Sequence, residues 1–312
     1  MAAVPLPKAT VPTTPGAASE PQVTRRPDGT PSAVFFALGC RCELLFDSDH
    51  VDAAREVATA AAREAQRVES KFTLLGADSV VANANRNPGK PIDVDEETAR
   101  LVDVAVRAYV RSGGRFDVTT GLLRRAWAFD GSDNLPKQDR IDALLEHVGL
   151  DRLGWDPPRL VVPLGIELDF GGLCKRYAVD RIIDVIRPAT RASVLVDVGG
   201  DLAVSCAPRG SPWRVRVHRA TKGATAPIVD LAEGALATSG DSRRFMLKNG
   251  VRYGDLLDPR TGWPVLEAPR MVTVAAANCI EAGMVATIAR LHARDAGIYL
   301  DELGARHWIV PH

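Results

Sequence analysis

The chain has 312 residues, 39 basic and 39 acidic side chains, and a hydrophobic fraction of 46%. These values are typical of a soluble globular protein with one large domain or two ordinary ones. The zero net charge gives no electrostatic signal for nucleic-acid binding, and no apolar run approaches the length of a membrane span.

The first 31 residues are rich in Ala, Pro and Thr. Such a segment buries little apolar surface, so we predict a disordered tail over residues 1–31 and a single folded domain over residues 32–312. The tail has neither the apolar stretch of a secretory signal nor a cysteine that could carry a lipid. The five sparsely spaced cysteines predict free thiols in a reducing compartment, so we expect a cytoplasmic protein.

Hydrophobic periodicity predicts the elements of the first half. Residues 33–46 alternate like a strand, and residues 52–70 carry the apolar stripe of a helix. Residues 74–91 are polar and predict a long loop. Asp95 is the predicted N-cap of a helix that ends at a glycine pair, and two short helices are expected at 121–128 and 138–148.

The second half mixes short strands with helices. Predicted helices cover residues 175–186, 280–294 and 296–303. Predicted strands cover residues 159–162, 166–170, 193–198, 214–219, 228–231, 235–238, 271–276 and 307–310. Because these elements show no regular βαβ alternation, we predict an α+β fold in which a mixed, mostly antiparallel sheet packs with helices.

The most informative segment, residues 168–180, reads LDFGGLCKRYAVD. A glycine pair before a helix lets the backbone approach a ligand closely, and the helix N-terminus beside Lys175 offers positive charge to an anion. A phosphate-bearing ligand is one interpretation. An ordinary strand-to-helix connection with a surface lysine is the other.

Four further segments carry residues suited to ligand contact. They are residues 112–119 (SGGRFDVT), 237–242 (ATSGDS), 252–262 (RYGDLLDPRTG) and 281–287 (EAGMVAT). Taken singly, the first is equally a helix end with a buried Phe, the next two are ordinary turns, and the last is ordinary helix packing.

In this order the five segments resemble the blocks of the ApbE family, flavin transferases that use FAD to modify other proteins with FMN. The similar family blocks are, in chain order, GAFD-x-T, D-x-GG-x-x-KG-x-x-x-D, ATSGD, Y-x-H-I-I-D-P-x-TG and D-A-x-x-T. The resemblance runs from about residue 37 to the C-terminus. It implies an FAD:protein FMN transferase that attaches FMN to a Ser or Thr hydroxyl of an acceptor protein and releases AMP.

The resemblance also implies an FAD site and a Mg²⁺ site. The residues implied to contact FAD are Leu38, Phe72, Arg115, Phe116, Asp117, Asp169, Lys175 and Leu256. Those implied to bind Mg²⁺ are Gly172 and Ala286 through their carbonyls and Thr287 through its hydroxyl. Phe72 stands where the family usually has a tyrosine that stacks on FAD, and Leu38 where it usually has a methionine.

Three positions depart from the family's pattern. Asp255 replaces a histidine thought to assist the transfer, Gly283 replaces the metal-binding aspartate, and Arg176 replaces the glycine after Lys175. We take Asp255 as the candidate general base. Loss of the carboxylate is expected to weaken Mg²⁺ binding unless Glu281, Asp255 or the FAD pyrophosphate supplies charge. Two alternatives stay open: a catalytically impaired FAD-binding protein of the same family, and an FAD pyrophosphatase.

Overall fold

The computed structural model describes residues 20–48, 51–217, 226–241 and 245–312. The described strands are β1 (Gln22–Arg25), β2 (Pro31–Ala37), β3 (Cys40–Phe46), β4 (Ile92–Asp93), β5 (Gly154–Asp156), β6 (Arg159–Val161), β7 (Val194–Val198), β8 (Asp201–Val204), β9 (Trp213–Arg216), β10 (Ile228–Leu231), β11 (Ala235–Gly240), β12 (Phe245–Lys248), β13 (Val251–Gly254), β14 (Met271–Ala276) and β15 (His307–Val310). The described helices are α1 (Val51–Phe72), α2 (Val80–Arg86), α3 (Glu96–Arg111), α4 (Gln138–Leu145), α5 (Gly171–Ala189), α6 (Cys279–Leu291) and α7 (Ala296–Glu302). Short 3₁₀ turns lie at Thr120–Arg125, Leu150–Arg152 and Ala293–Asp295.

A continuous antiparallel sheet forms the centre of the molecule. Within the described ranges, eight strands pair in the order β1-β2-β3-β7-β8-β11-β14-β15, and every neighbouring pair is antiparallel. Smaller antiparallel groups join β9 with β10, β12 with β13, and β4 and β5 with β6. The predicted α+β fold with a mostly antiparallel sheet is confirmed.

The central sheet is covered on both faces. Helices α1, α5 and α6 pack on one face, and the β9–β10 hairpin packs on the other. All residues of β7 are buried: Val194, Val196 and Val198 pack with the helices, whereas Leu195 joins the cluster around Trp213. Because side chains alternate along a strand, β7 contributes to two cores at once.

The predicted strand at residues 33–46 is a hairpin. Ala37 pairs with Cys40, and the two residues between them, Leu38 and Gly39, have φ angles of 55° and 66°. Positive φ at both central residues is the pattern of a type I′ turn. Leucine rarely adopts this conformation, which is why the turn escaped prediction.

The predicted disordered tail extends too far along the chain. Strand β1 pairs with β2, with Val23 opposite Ala33, so the folded domain begins before residue 32. The mostly exposed residues of β1 are typical of an edge strand as well as of a tail, so composition could not separate the two. Residues 1–19 lie outside the described residues, as do residues 218–219 of the predicted strand at 214–219 and Ser242.

Two further predictions gave the wrong kind of secondary structure. The predicted loop at 74–91 contains α2, which begins where the hydroxyl of Ser79 accepts a hydrogen bond from the N–H of Ala82 at 3.2 Å. Residues 166–170 form no strand. Instead, the side-chain amide of Asn85 bonds both the N–H (2.8 Å) and the carbonyl (2.9 Å) of Leu168.

Three smaller findings concern a helix type, the cysteines and membrane spans. The predicted helix at 121–128 is the 3₁₀ turn Thr120–Arg125. All five cysteines are free thiols, as the sequence predicts. Searched over the described part of the chain, the helices include none with the length and apolarity that a membrane crossing requires.

Candidate functional site

Asp117 organises the segment 112–119. Its carboxylate is 7% exposed and accepts hydrogen bonds from the N–H (2.7 Å) and hydroxyl (2.6 Å) of Thr119 and from the N–H of Leu150 (2.9 Å). The Thr119 hydroxyl also accepts from the N–H of Gly149 at 2.8 Å. Asp117 therefore fixes two loops against each other, with neighbouring Phe116 buried beside it.

Asp169 joins this loop to the start of α5. Its carboxylate accepts the N–H of Gly171 at 2.8 Å and contacts the guanidinium of Arg124. Its own N–H donates to the carbonyl of Val118 at 2.8 Å. Gly121 packs against the same carboxyl, where a Cβ would lie 2.5 Å from an Asp169 oxygen. The first two segments therefore meet at Asp169.

Arg115 links the segment 112–119 to the end of α6 and to Asp258. Its guanidinium donates to the carbonyl of Leu291 at the end of α6 at 3.1 Å. Burial raises the pKa of Asp258, but hydrogen bonds from Arg260 and the charges of Arg260 and Arg115 hold that pKa below its ordinary value. The segment 112–119 thus lies beside the end of α6, four residues beyond the segment 281–287, and near Asp258 of the segment 252–262.

Helices α5 and α6 meet through residues spaced four apart on each helix. Arg176 donates through Nη1 to the carbonyl of Gly172 (3.0 Å) and to the hydroxyl of Thr287 (3.0 Å). That hydroxyl donates in turn to the carbonyl of Gly283 at 2.9 Å. Residues four apart share one helix face, so this contact joins the second and fifth segments.

One turn further along α5, Asp180 caps α6. Its carboxylate accepts the N–H groups of Cys279 (2.7 Å) and Ile280 (2.9 Å). Burial is the main cause that raises the pKa of Asp180 to about 6. A carboxylate beside the N-terminus of a helix is favourably placed for the helix dipole. Asp180 therefore fixes the register between α5 and α6.

A second contact of α5 reaches strand β8. Lys175 Nζ lies 3.0 Å from Asp201 Oδ2, and Arg176 Nε lies 3.8 Å from the same oxygen. The other oxygen of Asp201 accepts the N–H of Thr238 at 3.0 Å, which brings in the segment 237–242. The charge of Asp201 is the main cause that raises the pKa of Lys175. Two cations thus share one buried carboxylate.

Asp241 and two arginines connect the remaining segments. Arg252 of β13 lies 3.2 Å from the Asp241 carboxylate and donates to its carbonyl at 2.7 Å. Arg290 of α6 is buried and donates to the carbonyl of Pro269 at 2.8 Å. Burial lowers the pKa of Arg290, whereas the charges of Asp241 and Asp255 raise it. Asp255 therefore lies near the buried Arg290 guanidinium.

The apolar residues predicted to contact FAD lie at the junction of two cores. Phe72 is 3% exposed and packs edge-on against Phe170 and Tyr177, with ring centroids 6.1 Å apart in each pair. Leu38 and Leu256 are half-buried against the same cluster. The N–H of Leu38 donates to Glu69 at 2.8 Å. Phe72 is thus enclosed by protein rings, and its stacking on FAD stays a prediction.

Two of the three residues predicted to bind Mg²⁺ contact the guanidinium of Arg176. The Gly172 carbonyl and the Thr287 hydroxyl both bond Arg176, and Ala286 is fully buried in a cluster with Val272 and Val274. Among the described residues, no group of three or more His, Cys, Asp or Glu side chains could hold a metal ion. Mg²⁺ prefers hard oxygen ligands in octahedral geometry, so this donor set does not fit the ion.

Sequence reasoning missed the roles of Asp180, Asp201 and Arg176. The available signal was spacing: Gly172, Arg176 and Asp180 are four apart, as are Gly283 and Thr287. Such spacing marks two helix faces that can pack together. Asp201 had no comparable signal, since its partners come from α5 and β11.

Comparisons with known proteins agree with this architecture. The chain is similar to the solved structure of the ApbE protein from Thermotoga maritima, with 30% identity, a TM-score of 0.81, and coverage of 90% of this chain and 94% of that one. It is also similar to proteins named FAD:protein FMN transferase. The Vibrio cholerae relative is 27% identical over 251 residues (76% of this chain, 73% of the relative), and the Salmonella typhimurium relative is 29% identical over 246 residues (71% and 70%).

The same assignment follows from a family model. The model described as the ApbE family matches residues 38–305, a span that includes all five segments and every candidate site residue. This chain belongs to the ApbE family.

Proposed function

We propose that the chain is an FAD:protein FMN transferase that moves FMN from FAD to a Ser or Thr hydroxyl of an acceptor protein. The observation that carries the proposal is a chain of contacts between the five segments: Arg115 bonds the end of α6, Arg176 bonds Thr287, Asp201 joins α5 to Thr238, and Arg252 pairs with Asp241. The names of the relatives support the same reaction. A helix N-terminus beside Lys175 and Arg176 suits the pyrophosphate of FAD.

The reaction is a phosphoryl-type transfer. The acceptor hydroxyl oxygen attacks the phosphorus on the FMN side, the P–O bond to the AMP phosphate breaks, and AMP leaves with that electron pair. The hydroxyl proton passes to a base, for which we propose Asp255. Such reactions depend mainly on positioning and on charge neutralisation, which Lys175 and the α5 N-terminus supply.

The proposed FAD contacts keep the residues identified from the sequence. Lys175 would hold the pyrophosphate, and Asp117 and Asp169, which fix the neighbouring loops, would border it. The remaining proposed contacts are Leu38, Phe72, Arg115, Phe116 and Leu256. Mg²⁺ has no assigned step, because Arg176 lies between two of its expected ligands, Gly172 and Thr287.

A second candidate function is an FAD-binding protein without transfer activity. The observation that favours it is the presence of Asp255 and Gly283 at the positions of the family's histidine and metal aspartate. An FAD pyrophosphatase, in which water replaces the acceptor hydroxyl, is the third possibility.

One incubation separates the three functions. Purified protein is mixed with FAD and a Ser/Thr-containing acceptor, with Mg²⁺ or with EDTA. Flavin fluorescence on the acceptor after denaturing electrophoresis, with release of AMP, is the result that the proposal expects. Free FMN plus AMP would identify a hydrolase, and intact FAD at stoichiometric occupancy would identify a binder. Absence of FAD binding would overturn all three.

The proposed setting is the cytoplasm, with an acceptor protein as partner and no nucleic acid. The free thiols support it, since cytosolic cysteines stay reduced. Fractionation of cells that produce the full chain tests this placement, and recovery outside the cytoplasm would contradict it.

A further inference from the structure

A guanidinium nitrogen occupies the position between Gly172 and Thr287. Both accept hydrogen bonds from Nη1 of Arg176, each at 3.0 Å. A guanidinium therefore makes the two contacts that a bound cation would make with these oxygens. The side chain of Arg176 is 9% exposed, so it belongs to the packed interior and is not a mobile surface group.

Gly283 is matched to this arginine. A Cβ at Gly283 would lie 1.9 Å from Cδ, 2.0 Å from Nε and 2.7 Å from Cζ of Arg176. Real Cβ atoms do not approach other atoms this closely, so the arginine fills the space that any side chain at position 283 would need. The two departures from the family pattern therefore depend on each other: the arginine fits because residue 283 is glycine.

Charge at this place favours an anion. Lys175 and Arg176 contribute two positive charges, and Asp201 contributes one negative charge, which leaves one positive charge within the group. A guanidinium stays protonated throughout the physiological range. The Nε of Arg176 is buried and faces Asp201 Oδ2 at 3.8 Å, so a ligand would meet the charge of the guanidinium and not this donor.

The group is open towards solvent on one side. Gly172 is exposed, and a Cβ placed on it would meet no atom within 4 Å. This opening lies in the first turn of α5, a 19-residue helix whose N-terminus carries partial positive charge. An anion seated there would lie next to Lys175 and Arg176.

We propose that Arg176 is a built-in cation that takes the place of a divalent metal, so that this chain binds the pyrophosphate of FAD without Mg²⁺. The inference rests on the proposed function, because FAD is its ligand. The Arg176 guanidinium supplies positive charge and is held in place by its hydrogen bonds to Gly172 and Thr287, and Gly283 leaves the space for it.

The test is FAD titration of the full-length protein, followed by flavin fluorescence or calorimetry, in excess EDTA and in Mg²⁺. We expect the same dissociation constant in both, within about twofold, since a permanent cation does not respond to chelation. Binding that requires Mg²⁺ would overturn the inference but leave the proposed function intact. Failure to bind FAD in either buffer would instead overturn the proposed function.

Variants sharpen the test. Arg176→Met keeps the length of the side chain but removes its charge, and should raise the FAD dissociation constant roughly 10- to 100-fold, the effect of losing charge-assisted hydrogen bonds. The matched control is Arg181→Met on the same helix, where Arg181 pairs with Glu64 at 3.1 Å away from the site. The control should bind FAD like the parent protein, and equal losses in both variants would contradict the assignment.

The exchange Arg176→Gly with Gly283→Asp reverses both departures. We expect this double variant to bind FAD at least about tenfold more tightly in Mg²⁺ than in EDTA, because a carboxylate replaces the guanidinium. Thermal unfolding by circular dichroism confirms that each variant is folded. Should a variant fail to fold, the comparison of EDTA and Mg²⁺ on the parent protein still decides the question.

Discussion

The two sides of the candidate site depart from the family pattern in different ways. Between α5 and α6, two departures occupy one volume, because Arg176 lies where a side chain at position 283 would lie. Near β13, Asp255 departs alone, close to the buried Arg290. The paired departure exchanges two residues within one packed volume, whereas the single departure exchanges one side chain.

The largest effect is expected from changing Asp255, the departure that has no matching second departure. Asp255→Asn should lower FMN transfer roughly 10²- to 10⁴-fold, the usual contribution of a general base, while FAD affinity stays unchanged. Initial rates of acceptor labelling measure the first quantity, and FAD titration measures the second. Glu267→Gln, at a half-exposed acid beside the same segment, is the control. Unchanged transfer in Asp255→Asn would remove Asp255 from the mechanism.

The next largest effect is expected from changing Asp201, whose carboxylate is shared by Lys175 and Arg176. Asp201→Asn should lower the free energy of unfolding by roughly 2–4 kcal/mol, since it leaves Lys175 and buried Arg176 without their counter-charge. Urea unfolding measures the change. Asp184→Asn, at an exposed partner of Arg181 on the same helix, should cost less than about 1 kcal/mol. Similar losses in both variants would mean that the buried position of Asp201 does not matter.

A smaller effect tests the match between Gly283 and Arg176. Gly283→Ala should destabilise the protein by roughly 1–3 kcal/mol, because the new methyl group overlaps the arginine. In an Arg176→Ala background the same change should be nearly neutral, so a double-mutant cycle gives the coupling directly. Equal costs in the two backgrounds would show that the two positions are independent.

The smallest effect concerns pH and the Asp180 cap on α6. Burial, as the largest cause, raises the folded-state pKa of Asp180 to about 6; Asp184 also raises it, whereas its hydrogen bonds and Arg187 lower it. The folded protein therefore binds this proton more tightly than the unfolded chain, whose aspartate pKa is near 3.9. Stability from this group is present at low pH and is lost as pH rises through about 6.

Urea unfolding of the parent and of Asp180→Asn measures this contribution. The difference in unfolding free energy between the two proteins should fall by roughly 1–2 kcal/mol from about pH 4 to pH 7. Asp197→Asn offers a comparison on the central sheet, because burial also raises the pKa of Asp197 to about 6. A difference that stays constant with pH would contradict the assigned shift of Asp180.

The predicted fold was reliable where a local pattern carried the information. Residues 271–276 and 307–310 are strands as predicted, and Asp95 caps α3 through a 3.0 Å bond with the N–H of Thr98. The hairpin turn at Leu38 and the buried segment around Leu168 escaped prediction. Their conformations depend on a strained residue and on Asn85, 83 positions away.

In the candidate site, too, local sequence patterns were predictive and contacts between distant residues were not. Ordered motifs identified the residues, but could not reveal that Arg176 points at Gly172 and Thr287, since that contact depends on how α5 packs against α6. The departures at positions 176 and 283 read as two separate losses in the sequence. In three dimensions they form one arrangement.

The contacts that close the site join distant parts of the chain. Arg176 and Thr287 are 111 positions apart, and Arg115 and Leu291 are 176 apart. A domain that depends on contacts of such separation folds slowly. During synthesis the guanidinium of Arg176 stays without its second oxygen partner until α6 has emerged from the ribosome. FAD binding should therefore appear only with the nearly complete chain, which makes the flavin a reporter of finished folding.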